Sequence, residues 1–345
     1  MDIDKVLSFL KSIKPTDGVI IIFHNDADGI CSCALLRKYV DSIVKKSYVI
    51  SQPMPPDKNL IRRIQTGVPN KIIMLDLATD HQEPLIKKIK GLADVLIVDH
   101  HPSIRNFTSG NVVHYNPRFR SPKLYQSVSY LMYKIVSKLI DISDSEWISA
   151  IGIVGDYDIS SSKDILEEAQ KKYGADIFNK MAAMIESVKA ARAMSCEQMV
   201  EIILNTKDPQ QILESGNFLD SYQKIEGEID AIMLDTQSST EKIDNIFFYQ
   251  IKSKFNLRST VATKLSEKYP EKFVVVYEKM DKRIAIAARN QVRKINCDKV
   301  LRTAARGLKA SAGGHEAASG ATIEAKDWDV FKTKMIEAVG EYENR

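Results

Sequence analysis

His24, Asp26 and Asp28 fall within five consecutive positions of FHNDADGICS (23–32), directly after the apolar run Val19–Ile22. Three more acidic groups follow apolar runs in the same way. Asp76 closes KIIMLD, Asp99-His100-His101 closes VLIVDHH, and Asp156 follows WISAIGIVG. Carboxylates and imidazoles gathered in one crevice would repel or desolvate one another badly unless cations neutralised them. Such mixed oxygen and nitrogen donors suit Mn²⁺, Mg²⁺ or Zn²⁺, and there are enough of them for two ions. Taken alone, NDADG also fits a polar turn, because Asn, Asp and Gly are turn formers. A calcium loop is excluded, since its first and twelfth positions would be His24 and Leu35.

The elements that must position these groups alternate. Short apolar, β-branched runs at 18–24, 71–77, 95–99 and 112–115 are separated by helical patterns near 30–45, 57–66, 83–91 and 126–140. Fully apolar strands without polar alternation predict a parallel sheet buried on both sides, with helices on both faces. In such a sheet the carboxyl ends of the strands form the ligand crevice, so the clusters should converge there. Residues 147–156 read as a buried helix and 163–236 as a helical connector without strand signals, placing the domain junction near 190–225. A smaller mixed α/β pattern begins around 243, with a hairpin at 279–282 and a glycine-rich turn before ASGATIE. The expected division is 1–190, a connector at 191–225 and a second domain at 226–345.

At 345 residues and 44% apolar composition, the chain can build two packed cores. No run of about 18 apolar residues predicts a membrane span, and the first residues lack a secretory layout, so a cytoplasmic protein without membrane partners is expected. Cys31, Cys33, Cys196 and Cys297 offer no disulfide framework, and small residues entering a helix describe Cys31 and Cys33 better than a zinc site. His81 reads as exposed and His114 as structural. The net charge of +4 conceals a patch between Lys282 and Lys309 with nine basic residues and one acid, Asp298. Arg289 ends an apolar strand. Arg302 and Arg306, one helical turn apart, fit either a phosphate track or a solvated helix face. Gly313 and Gly314 permit close backbone approach, and with His315 they suit a grip on phosphate or a terminal nucleotide, or an ordinary turn. The aromatic residues are scattered, without a paired stacking stripe.

Asp26/Asp28, Asp76, Asp99-His100-His101 and Asp156, in this order, resemble the DHH phosphoesterase superfamily. Ala312-Gly313-Gly314-His315 is similar to the glycine-histidine signature of its associated C-terminal domain, with Ala312 where many members carry glycine. Within the superfamily the chain looks most like the short, archaeal-type RecJ-like nucleases, and it is similar in size to the nanoRNase and phosphoadenosine phosphatase branch. The resemblance implies phosphoester hydrolysis by two divalent ions, manganese preferred and magnesium accepted, in a cleft between the domains. It assigns His24 and Asp26 to one ion, Asp28, His100 and Asp156 to the other, and Asp76 to both. Asp99 would orient a ligand imidazole, and His101 would contact the scissile phosphate. Two ions would acidify a water and stabilise the entering and leaving oxygens. Arg289, whose strand resembles the family's, would bind substrate phosphate, with Gly313, Gly314 and His315 opposite.

Single-stranded DNA or RNA is the expected partner, together with a replication or repair protein. The alternatives are a phosphodiesterase acting on short oligonucleotides, cyclic dinucleotides or phosphoadenosine phosphate, and a non-catalytic replication or repair subunit. Retired relatives are expected to lose metal ligands, and this chain keeps each matching position. A manganese pyrophosphatase shares the first motifs but is not expected to carry Gly313-Gly314-His315.

Overall fold

A computed structural model describes residues 3–343 apart from 46, 81, 293 and 315, so His81 and His315 lie outside the described residues. The chain divides into two units between Tyr222 and Gln223. The first holds α1 (Ile3–Lys11), β1 (Val19–His24), α2 (Ala27–Val40), β2 (Tyr48–Gln52), α3 (Leu60–Thr66), β3 (Lys71–Leu75), α4 (Glu83–Ile89), β4 (Asp94–Val98) and β5 (Val112–Tyr115). It continues through α5 (Val128–Val136), α6 (Glu146–Gly155), α7 (Lys163–Tyr173), α8 (Ile177–Ala191), α9 (Cys196–Asn205) and α10 (Gln210–Glu214) into α11 (Gly216–Ser239), where the boundary falls.

The five strands form one all-parallel sheet in the order β2-β1-β3-β4-β5. Residues of a strand point alternately to opposite faces, and here both faces are apolar. Val19, Ile21, Phe23, Ile73, Leu75, Leu96 and Val98 join a core with residues of α1, α2, α5 and α6. Ile20, Ile22, Ile72, Met74, Val95 and Ile97 join another, completed by Leu60 and Ile64 of α3 and Ile86 and Ile89 of α4. Helices on both faces explain the uninterrupted apolar runs, and each fully buried isoleucine contributes roughly 2–3 kcal/mol. Met199, Val200 and Ile203 of α9, Ile212 of α10 and Phe218 of α11 pack into the first of these cores.

Sequence reading missed α1 and β2. YVISQ carries serine and glutamine, and at the sheet edge it needs only partial burial. His114 on β5 is fully buried, its ring 5.7 Å from that of Phe107 and 4.9 Å from that of Phe119. The Phe107 N–H donates to its Nδ1 at 3.3 Å, as a neutral imidazole allows. Burial lowers its pKa from 6.5 to about 4, although Asp99 and Asp80 oppose the shift. Because the folded value is the lower one, this neutral histidine costs nothing above pH 6.5. As the pH falls from there towards 4 the unfolded chain takes up a proton that the folded chain refuses, removing on the order of 3 kcal/mol. His114→Gln should therefore show a shallower fall of the denaturant midpoint between pH 6.5 and 4 than the parent; parallel curves would rule this assignment out.

The second unit holds β6 (Glu241–Ile243), β7 (Ile246–Gln250), α12 (Arg258–Lys268), β8 (Phe273–Lys279), β9 (Arg283–Arg289), α13 (Cys297–Ala305), β10 (Ala310–Gly314), β11 (Ala318–Glu324) and α14 (Trp328–Glu343). Its mixed sheet runs β10-β11-β9-β8-β7-β6, with β7 and β8 parallel and the other neighbours antiparallel. The hairpin at 279–282 is present, closed by the Met280 N–H donating to Arg283 O at 2.8 Å. The stretch read as a glycine-rich turn is instead strand β10. Alanine, serine and glycine signal a strand poorly, and pairing with β11 supplies what propensity lacks. No helix among the described residues is long and apolar enough to cross a membrane. All four cysteines are free and buried.

Candidate metal centre

β1 and β2 lie to one side of the chain's winding and β3, β4 and β5 to the other, so the strand order reverses between β1 and β3. That reversal opens a crevice at the carboxyl ends of the strands. His24 is the last residue of β1, and Asp26 is the N-cap of α2, its Oδ1 accepting the Gly29 N–H at 2.9 Å. NDADG is therefore a strand end, a cap and a first helical turn rather than a free polar turn. Gly29 lies inside the first turn of α2. A Cβ on Gly29 would stand 2.1 Å from His24 O and 2.9 Å from His24 Cα, so only glycine lets the helix start this close to the strand.

Asp76 comes directly after β3 and is buried, with its backbone in the left-handed region at φ +59°. Aspartate tolerates that conformation better than most residues, and strained backbone of this kind concentrates at functional sites. Its N–H donates to Val98 O at 3.0 Å, which ties it to β4. There Asp99 and His100 are buried and His101 is half-buried. Asn116 Nδ2 donates to His101 O at 3.0 Å and Arg118 Nε to His100 O at 2.7 Å, so residues following β5 fix this loop.

The side chains converge. His24 Nδ1 lies 2.5 Å from Asp26 Oδ2 and 3.6 Å from Asp76 Oδ2. His100 Nε2 lies 3.2 Å from Asp76 Oδ1, and its Nδ1 3.3 Å from Asp156 Oδ2. His24, Asp26 and Asp76 form one group with donor atoms within 4.8 Å of one another; Asp28, His100 and Asp156 form a second, and Asp76, His100 and His101 a third. Asp28, Asp76 and His100 make the buried floor, while His24, Asp26, His101 and Asp156 are partly open to solvent.

Asp99 differs from expectation. Its Oδ1 lies 2.7 Å from His101 Nδ1, so it orients His101 rather than the more deeply buried His100. Asp28 makes contacts that no local pattern foretells, its two oxygens accepting the Val128 and Ser129 N–H groups at 2.7 and 2.8 Å, at the start of α5. Tyr125 was also missed; its hydroxyl donates to Asp156 Oδ2 at 2.8 Å. Asp158 is buried apart from the cluster and accepts the Ser127 N–H at 2.7 Å and the Ser162 hydroxyl, leaving Asp156 as the aspartate that faces His100.

The charges are frustrated as they stand. Burial and the neighbouring Asp76 and Asp156 charges push the Asp28 carboxyl well up. Burial raises Asp156 to about 7, with Asp76 adding to the rise and His100 opposing it. Burial alone would lower His100, but Asp76, Asp156 and Asp28 together lift it to about 10. Burial is likewise outweighed at His24, held well above its ordinary value by Asp26 and Asp76. Asp76 Oδ1 and His100 Nδ1 are buried without a hydrogen bond. Buried polar atoms without a hydrogen bond amid raised carboxyls are what cations would resolve, and the oxygen and nitrogen set fits divalent ions.

In the second unit, Arg289 closes β9, with its guanidinium donating to Thr263 Oγ1 at 3.1 Å and Ser259 Oγ at 2.6 Å of α12. It pairs in register with Ala318, next to the Ser319 that pairs with Gly314, so Arg289 and Gly314 share one end of that sheet. A Cβ on Gly314 would stand 2.5 Å from Ala318 O. Arg302 Nη2 lies 3.1 Å from where a Gly313 Cβ would be, and Arg302 Nε bonds both Asp298 oxygens, at 2.8 and 2.9 Å. Arg306 lies past the end of α13 as its exposed C-cap, so it does not continue a helical stripe from Arg302.

A doubly wound parallel sheet with this acidic and imidazole cluster at its switch point has the fold of a phosphoesterase. The chain belongs to the DHH family: the model of its N-terminal domain matches residues 18–153, and that of the DHHA1 domain matches 245–341. Members of this family are metal-dependent phosphoesterases. No curated protein matches the chain. Among solved structures, a DHH-domain protein described as a member of a family of ribosomal proteins is 15% identical with a TM-score of 0.79, over 98% of this chain and 90% of that one. RecJ of Thermus thermophilus, solved with Mn²⁺, is 14% identical with a TM-score of 0.76, over 98% of this chain and 54% of RecJ. A pGpG-specific phosphodiesterase of Vibrio cholerae is 13% identical with a TM-score of 0.52, over 94% of this chain and 99% of the enzyme. At these identities the likeness is one of fold.

Proposed function

We propose that the chain is a two-ion phosphodiesterase that removes nucleoside monophosphates from the end of single-stranded DNA or RNA, with Mn²⁺ preferred over Mg²⁺. The observation that carries this reading is the sharing of Asp76 and His100 among three donor groups, which suits a pair of ions side by side. His24, Asp26 and Asp76 would hold one ion, and Asp28, His100, Asp156 and Asp76 the other. Bound there, the ions would supply positive charge for the entering and leaving oxygens and acidify a water. Asp99 orients His101, and together with Asp76 it outweighs the effect of burial and raises the His101 pKa, so the ring is suited to donate to a phosphate oxygen.

A nucleic-acid substrate is favoured by the RecJ likeness and by the basic stretch from Lys282 to Lys309. The functional division we propose is 1–190 for the metal centre, 191–225 as connector and 226–345 for substrate binding, where Arg289, Gly313, Gly314 and His315, with Arg302 and Arg306 flanking, would hold phosphates. Free, buried cysteines suit a reducing cytoplasm. Arg289→Ala should raise KM about tenfold or more with bound metal unchanged, measured by initial rates and elemental analysis; loss of metal would place Arg289 elsewhere. The second reading, a phosphodiesterase of very short substrates, is favoured by the near-complete mutual coverage with the Vibrio cholerae enzyme. The test is one panel of 5′- and 3′-labelled DNA and RNA strands of several lengths with Mn²⁺ or Mg²⁺. Digestion of long strands supports the exonuclease, a steep fall beyond about five nucleotides supports the second reading, and no hydrolysis of any strand refutes both.

A further inference from the structure

Tyr157 directly follows Asp156, yet it is 78% exposed and its backbone sits in the left-handed region at φ +56°. A bulky side chain is a marked outlier there, where glycine or asparagine would be comfortable. The turn is pinned on both sides. Asp156 meets His100 and Tyr125, while Asp158 is buried and accepts from Ser127 and Ser162. The Tyr157 N–H donates to Val154 O at 3.1 Å and the Asp158 N–H to Ile153 O at 2.9 Å. Between two anchored aspartates the tyrosine is held outward, and Ile159, 57% exposed, follows two residues on. Backbone strain of this kind, one residue from Asp156, is of the sort that concentrates at functional sites.

We propose that Tyr157 is a stacking platform for the nucleobase beside the scissile phosphate, with Ile159 extending its apolar edge. Adjacent Cα atoms are about 3.8 Å apart, so a ring carried by Tyr157 starts within one residue of the metal centre. Stacking is tolerant of base identity, because every base has a π-face, and the proposed single-strand nuclease needs that tolerance. The inference rests on the phosphodiesterase reading and deepens it: the substrate class becomes base-bearing phosphodiesters rather than bare phosphate chains.

The test compares pentameric DNA and its fully abasic counterpart, which keeps every phosphodiester, as substrates of the full chain loaded with Mn²⁺. The readout is the ratio of kcat/KM for the two strands. Tyr157→Ala should lower that ratio about ten- to a hundredfold, mainly through KM, and Tyr157→Phe should retain it. An unchanged ratio in Tyr157→Ala, or a ratio lost equally in Tyr157→Phe, overturns the stacking role. Hydrolysis of neither strand by the parent chain would instead refute the phosphodiesterase reading. Thermal denaturation of each variant separates misfolding from lost stacking; if Tyr157→Ala is unfolded, Tyr157→Asn, which suits the left-handed backbone, must show the same loss.

Discussion

Asp76→Asn should abolish activity, by at least about a thousandfold, while leaving the protein folded. Asparagine has nearly the same shape as aspartate and also tolerates the left-handed backbone at φ +59°, so the tie to Val98 is kept. What disappears is one negative charge on a side chain shared by two donor groups. Loss of a residue that merely supports a ligand costs roughly 10- to 100-fold, and loss of a shared ligand should cost more. The effect on stability is smaller. The Asp76 charge helps to push up Asp28 and Asp156 but also favours the protonated rings of His100 and His24, so without metal the gain and the loss oppose one another and the variant should melt near the parent. An ion held by Asp76 would stabilise the parent by about 2.7 kcal/mol at a hundredfold excess over Kd, and that increment should vanish. Melting curves with and without Mn²⁺ check both halves; a variant that still gained the full increment would show that Asp76 holds no ion. Asp76→Ala should behave worse, because alanine adds backbone strain of about 1–2 kcal/mol.

The second large effect is expected at Gly29→Ala. The added Cβ would meet backbone atoms of His24, which cannot swing aside as a side chain can. Either α2 moves away from β1, dragging Asp26 and Asp28, or the strand end yields and takes His24 with it. Overpacking usually costs about 1–3 kcal/mol, and a clash with backbone belongs at the upper end. Chemical denaturation should show a loss of about 3 kcal/mol, together with weaker Mn²⁺ binding. A loss under about 0.5 kcal/mol with metal binding intact would mean that the close approach is not needed.

The acidic and imidazole cluster was legible because its residues sit at strand ends that announce themselves. Val19–Phe23, Ile72–Leu75 and Val95–Val98 are apolar without a break, and both faces of the sheet bury them. Each run had only one place to stop, at the acidic residues. Edge strand β2 lacked that signal, since it is half polar, and β10 lacked it because glycine and alanine carry little strand preference. Partners set by tertiary packing could not be read at all. Asp28 meets the Val128 N–H from 100 residues away, and Tyr125 reaches Asp156 across 31. Asp99 shows how a correct residue can be given the wrong neighbour. Adjacent histidines on one loop point differently, and only the fold decides that His101 turns towards Asp99 while His100 turns towards Asp76 and Asp156. The need for glycine at position 29 comes from helix-to-strand contact, which no local pattern reveals.

The most direct test of the central claim is an anomalous difference map from Mn²⁺-loaded crystals of the whole chain. Two peaks are predicted, one among His24, Asp26 and Asp76 and the other among Asp28, His100, Asp156 and Asp76. A map with no peak among these residues, from crystals in which they are well ordered, would contradict the account.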